Sequence, residues 1–316
     1  MGMVRRIAVQ GTKYVVTGLA IWLLVGQVDG PRLMAAMARV NVAGVILAFA
    51  LYLVGQLLTA CRWKVIAGRI GFDHSLGEVV RFYFIGMFFN FVGPSTLGGD
   101  MVRSLYLGQR DGRRTVALNT VLFDRISGLA VLVMVAVVAL GLAGRFSLPP
   151  ALVALTVASG LAMTLGWWVV PPLVGLVFSE SSRVRRLIES DLGPFWRDAD
   201  LIWKAVWISA AFHVLQVITV IMLGWSLGLE LAWPYYFIFH PLVSIFSALP
   251  ISLAGLGIRE VGYVYFLSDL AGVPTELALA FGILWLAILL AAGAVGGVVF
   301  VASGATLPRL RTEAGS

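Results

Sequence analysis

The chain has 316 residues, 60% of them hydrophobic and 12% charged, about half the roughly 25% charged fraction of a water-soluble domain. That apolar load excludes a soluble globular fold, and a net charge of +7 carried mostly in short loops between apolar runs marks membrane topology and contact with anionic lipid, not nucleic-acid binding. A single cysteine, Cys61, and three histidines exclude an internal disulfide and a cysteine-based metal site, so neither cofactor nor metal is expected.

Runs of 18 or more apolar residues must be helices or a closed barrel, and they lack the period-2 alternation of barrel strands. Arg5, Arg6 and Lys13 precede a short span at about residues 14–28, read as an uncleaved anchor with a cytoplasmic N-terminus. A second span over 41–60 is followed by Arg62, Lys64 and Arg69, placed in a cytoplasmic loop. From Arg81 to Leu107 the chain is apolar but broken at Gly93-Pro94-Ser95-Thr96-Leu97-Gly98-Gly99-Asp100, where Pro and Gly end one helix and start another. Each arm is too short to cross, which predicts a re-entrant hairpin from the cytoplasmic side. Spans over 116–143 and 151–177 follow, then a cytoplasmic loop with Arg183, Arg185, Arg186, Arg197 and Lys204. After a span over 203–228 the broken pattern returns: Tyr235 to Ala248, a break at Pro250-Ile251-Ser252-Leu253-Ala254-Gly255-Leu256-Gly257, then Arg259 to Leu267, entering from outside. A last span over 276–302 leaves Arg309 and Arg311 inside. Only Arg32, Arg39 and Arg145 are placed outside, as the positive-inside rule requires.

The fold class is therefore an all-α polytopic membrane protein, a single domain over 1–316 with about six spanning helices and two re-entrant hairpins. The hairpins share an aromatic lead-in, a Pro and Ser, a Gly pair and an Arg, and they enter from opposite faces. This predicts inverted repeats over about 41–143 and 203–302, the arrangement that puts a transporter-like site near the midplane.

Six ionisable residues sit in or beside apolar segments: Asp100, Arg103, Asp124, Arg125, Arg259 and Glu260. Each costs about 2.5–3.5 kcal/mol at a helix centre, so such charges are paired and functional by default. Asp100 and Arg103 can pair along one helix. Asp124 and Arg125 are adjacent, face different ways, and each needs a partner from elsewhere, most simply a hairpin. Ser95 or Thr96 and Ser252 are candidate N-caps, and Gly98, Gly99, Gly255 and Gly257 expose N–H groups that suit a phosphate. The competing assignment gives Asp100 and Glu260 themselves to the helix N-termini. Asn90, Asn119, Gln56 and Gln216 read as interhelical hydrogen bonds, the tryptophans as interfacial belts, His213 and His240 as packed side chains, and Gly293 with Gly297 as a close-packing face, internal or at a homodimer seam.

The stretches Asn90 to Leu107 (NFVGPSTLGGDMVRSLYL), Phe123 to Leu129 (FDRISGL) and Leu249 to Glu260 (LPISLAGLGIRE) resemble the signatures of the flippase-like, lysylphosphatidylglycerol synthase transmembrane-domain family. The resemblance covers nearly the whole chain in layout. It implies movement of an anionic or phosphate-bearing lipid, a phospholipid or a polyprenyl-phosphate-linked glycan, between leaflets of the inner membrane. Pro94, Ser95, Gly98, Gly99, Asp100 and Arg103 match the first motif, Asp124 and Arg125 the second, and Pro250, Ser252, Gly255, Gly257, Arg259 and Glu260 the third. The 316 residues hold no soluble aminoacyl-transferase domain, so lipid synthesis is not implied. With no GxxxxGK[ST] loop, transport is expected to be downhill or coupled to an ion or proton. A membrane enzyme acting on a polyprenyl diphosphate and a non-transporting scaffold of lipid synthesis remain as alternatives. The first lacks the paired Glu residues and Ser-Arg-Ser run associated with that chemistry.

Overall fold

The computed structural model describes residues 15–20, 22, 24, 26, 29–92, 98–141, 146, 148–248, 252 and 255–307. Among them every regular element is helical: α1 (Gly30–Ala38), α2 (Val42–Arg69), α3 (Leu76–Val92), α4 (Gly98–Gln109), α5 (Arg114–Ala139), α6 (Pro150–Val177), α7 (Ala199–Ser226), α8 (Trp233–Ala248), α9 (Ile258–Val264) and α10 (Thr275–Ala302). α9 runs on into a π-helical turn, Tyr265–Leu270, and three short turns join α6 to α7. α2, α5, α6, α7 and α10 are long and apolar enough to cross a membrane. These are five of the six expected spans. The first, about 14–28, lies largely outside the described residues, as do Pro94 and Ser95 in the first break and Pro250 in the second.

α2 departs from expectation. Asn41 caps it by accepting from the Gly44 N–H at 3.1 Å, and nothing breaks the helix until Gly71, whose φ is +82°. It therefore runs nine residues past 60, and Arg62 and Trp63 are buried helix residues and not a loop. A charge is tolerated inside a buried helix when it has an internal partner, and Arg62 has one in Asp124. Trp63 likewise leaves the interfacial belt assigned to it: its Nε1 donates to Thr120 Oγ1 at 2.9 Å.

α2 and α7 lie antiparallel in close contact. A Cβ on Gly44 would come 2.3 Å from Ser226 Oγ, and one on Gly55 would come 3.4 Å from the Phe212 ring. Arg62 Nη1 donates to Ser209 Oγ at 2.6 Å, and Arg69 closes the far end on Asp198. Asp198 also caps α7 by accepting from Leu201 N. The Arg69 guanidinium, with that N–H, holds the Asp198 carboxyl below the usual carboxylate range.

Each broken segment forms an antiparallel pair of arms. In the first, Phe82 stacks on Tyr106 at 5.3 Å, Arg110 reaches Glu78 at 2.9 Å, and Gly86 and Gly99 touch backbone to backbone. In the second, Tyr235 OH donates to the Phe266 carbonyl at 2.6 Å, His240 Nδ1 meets Tyr263 OH at 3.1 Å, and Gly262 packs on Val243. α10 lies against both pairs. Three glycines in its C-terminal half face the first: a Cβ on Gly296 would fall 2.0 Å from the Phe84 carbonyl, while Gly293 and Gly297 receive Phe91 and Phe88. The close-packing face is thus filled from within the chain. Just past the C-terminal end of α10 the Thr306 carbonyl accepts from Tyr106. At its N-terminal end Thr275 meets Ser268 at 2.9 Å.

Candidate functional site

α2, α4 and α5 bring five charges into one row. Asp124 accepts from Arg62 Nε at 2.8 Å with one oxygen and from Arg103 Nη2 at 3.1 Å with the other. Arg103 Nε donates in turn to Asp100 Oδ1 at 3.1 Å, and Asp100 Oδ2 pairs with Arg125. The order is Arg62, Asp124, Arg103, Asp100, Arg125. All but Arg125 are buried; its side chain is 45% exposed. The glycines make the row possible. A Cβ on Gly128 would lie 2.9 Å from Arg62 Nη1, and one on Gly99 would lie 1.9 Å from the Gly86 carbonyl. Asn90 ties the arms together by accepting from the Gly99 N–H at 3.1 Å.

The row lines a cavity of about 390 Å³ whose walls also include Thr59, Tyr83 and His213. The Arg103 guanidinium is held between the Trp63 ring at 4.8 Å and the Tyr83 ring at 5.1 Å, which fixes its plane and contributes cation–π attraction. Its Nη1 is buried and has no hydrogen-bond partner among the described residues.

Expected pairings are met for Asp100 with Arg103 and for Asp124 and Arg125 with residues of the first arm pair, Arg103 and Asp100 of α4. The balance of charge is not as expected. The six residues singled out in the sequence, three acids and three bases, balance one another, whereas with Arg62 the cavity row has three arginines against two aspartates, an excess of one positive charge. Arg62 was missed because it was assigned to a loop. Its signal was helical spacing: Tyr52, Gln56, Thr59, Arg62 and Trp63 share the buried side of α2 at three- and four-residue steps.

The second set of expected site residues stands apart. Ala248, at the end of α8, lines the cavity, whereas Ser252, Gly255, Gly257, Arg259 and Glu260 are absent from its described lining. Ser252 does not cap α9. The N-cap is Gly257, at φ +82°, and Glu260 accepts from its N–H at 2.7 Å, so the acid serves its own helix N-terminus. Ser252 is fully buried, its Oγ without a partner among the described residues. Arg259 is buried and folds back over Gly255: a Cβ there would come 3.0 Å from both Arg259 Nη2 and the Ser247 carbonyl.

The family described as the lysylphosphatidylglycerol synthase TM region matches residues 12–297. The chain belongs to this family. A UPF0104 membrane protein, MJ1595, of Methanocaldococcus jannaschii is 24% identical over 119 residues, which are 37% of this chain and 35% of that relative. The aligned stretch thus spans about a third of the relative's length. For a member of the lysylphosphatidylglycerol synthase TM region family, the match extends over α2 to α5 and therefore over all five charges of the cavity row.

Proposed function

We propose that this protein is a carrier, not an enzyme, that moves an anionic, phosphate-bearing lipid between the leaflets of the inner membrane. The observation that supports this most is the cavity row itself: two buried arginines balanced by two buried aspartates, with the half-exposed Arg125 adding one positive charge in excess. Charge at that depth is costly unless paired. A phosphate oxygen supplies the missing acceptor for Arg103 Nη1, and charge-assisted bonds of this kind contribute about 1.5–3 kcal/mol each. Arg62 lies seven residues from the end of α2, about 10 Å at 1.5 Å per residue, within reach of a headgroup entering from the basic-loop side. Arg125, exposed at the mouth, is the first cation it would meet.

The two arm pairs, in this proposal, are re-entrant hairpins related by inverted pseudo-symmetry, with both termini cytoplasmic. Their contacts at opposite ends of α10 support it. The acyl or prenyl chains stay in lipid while the headgroup occupies the cavity.

The test is leaflet exchange in reconstituted vesicles, using fluorescent phosphatidylglycerol and a fluorescent polyprenyl phosphate. The protein is expected to accelerate one of them. Arg125→Gln should cut that rate at least about tenfold, the worth of one charge-assisted bond, with the protein still folded because Arg125 is half exposed. Exchange of both probes at the protein-free rate would overturn the proposal.

A further inference from the structure

Next to the arginine cavity lies a second one of about 260 Å³, lined by Tyr52, Gln56, Gln216, His240, Ser244 and Trp285 among others. His213, Phe212 and Leu132 belong to the walls of both. Of these three only His213 can carry a proton. It is buried on α7, and its Nε2 lies 3.0 Å from the Gly128 carbonyl. A carbonyl only accepts, so Nε2 donates and Nδ1 is the position left for a second proton. Gln216, nearly one turn along α7, is also buried, with Oε1 lacking a partner among the described residues. The walls are largely apolar, but Gln56, Gln216, His240 and Ser244 offer polar partners, and a compartment of this size accommodates water, whose share of liquid volume is about 30 Å³ per molecule.

We propose that headgroup binding in the arginine cavity is linked to uptake of a proton by His213, delivered through the second cavity. This rests on the arginine cavity being an anion site. A proton on Nδ1 adds a positive charge to the wall that the anion faces. Anion and proton therefore favour one another, each changing the other's affinity by the same factor. The charged and titratable groups around His213 are, on the anion side, Arg62 from α2, Tyr83 from α3, Asp124 and Arg125 from α5, and Asp100 and Arg103 from α4. On the other side they are Tyr52 from α2 and His240 from α8, the latter bonded to Tyr263 of α9, with the buried Arg259 of α9 near both. α10 contributes Trp285, which does not titrate. The like charges of Arg62 and Arg103 oppose a proton on His213, and an anion in the cavity offsets that repulsion. The proton comes from water in the second cavity and leaves with the headgroup when the charge is again exposed.

The chain has three histidines, His74, His213 and His240, so the assignment can be made by elimination. The probe is glycerophosphoglycerol, a tail-free headgroup whose phosphodiester keeps one charge across the range. Its binding to the purified protein in maltoside micelles is followed by calorimetry in buffers of differing ionisation enthalpy. The expected result is uptake of close to one proton per headgroup, with binding about tenfold tighter at about pH 5.5 than at about pH 8. His213→Gln, which keeps an amide donor for the Gly128 carbonyl, should bind without uptake. The double variant His74→Gln/His240→Gln, with His213 as its only histidine, should retain it. Binding without uptake in the unmodified protein, uptake that survives His213→Gln, or uptake lost from the double variant would overturn the linkage and leave the anion site standing. No binding at all would remove the anion site and the linkage together.

Discussion

Asp124 is the residue on which the row depends, since both of its oxygens are engaged by guanidinium groups contributed by different helices. Asp124→Asn keeps the shape and leaves Arg62 and Arg103 buried without their shared counter-charge. Breaking a buried pair in this way costs about 3–5 kcal/mol, so thermal unfolding in detergent should shift markedly downward. Adding Arg103→Gln should return part of the loss, with a coupling of about 0.5–3 kcal/mol in a double-mutant cycle. Strict additivity would mean that the two side chains do not share their energy. Four of the five charges were legible in the sequence because each interrupts an otherwise apolar run. Arg62 was not: it stands with Lys64 and Arg69, and a cluster of bases after an apolar run looks like a loop until the helix is seen to continue.

At the scale of elements, the α3–α4 arm pair is closed by backbone contact, so its glycines are intolerant in a graded way. Gly99→Ala would put a methyl group 1.9 Å from the Gly86 carbonyl and 2.6 Å from Asn90 Oδ1. The arms must separate, and the folded yield in size-exclusion profiles should collapse. Gly68→Ala, on α2 with nothing within 4 Å of the added methyl, should be neutral or stabilising by up to about 1 kcal/mol. Equal behaviour of the two would contradict the packing. A second expectation concerns sidedness. In a Cys61→Ser background, Asp111→Cys beside the open end of the first arm pair and Asp269→Cys beside that of the second should react with impermeant thiol reagents from opposite faces of the membrane. Labelling of both from one face would exclude the inverted arrangement. The two arm pairs were foreseeable because Pro and Gly punctuate a helix locally. The capping of α9 was not, because Ser252 and Gly257 are both plausible caps by residue type, and only the backbone turn at Gly257 decides between them.

For the molecule as a whole, composition was enough to give a helical membrane bundle, and five of the expected spans coincide with α2, α5, α6, α7 and α10. Which helices touch was much less legible, because nearly all-round apolar spans carry little directional pattern. Small residues were the exception. The glycines of α10 announced a close contact, although the sequence left its partner open, and that partner is α3.

This contact makes α10 a mechanical strut. It is keyed to the first arm pair through Gly293, Gly296 and Gly297 and braced against the second through Thr275 and through Gly282, whose Cβ would meet the Glu260 side chain at 3.3 Å. A rod about 42 Å long, seated by backbone contact at one end, cannot slide along its neighbour without unseating Phe84, Phe88 and Phe91. Any motion that opens the cavity must then leave this seat intact, with α10 as the fixed axle. In hydrogen-exchange experiments the amides of residues 282–297 should be among the last to exchange, whether or not a headgroup is bound.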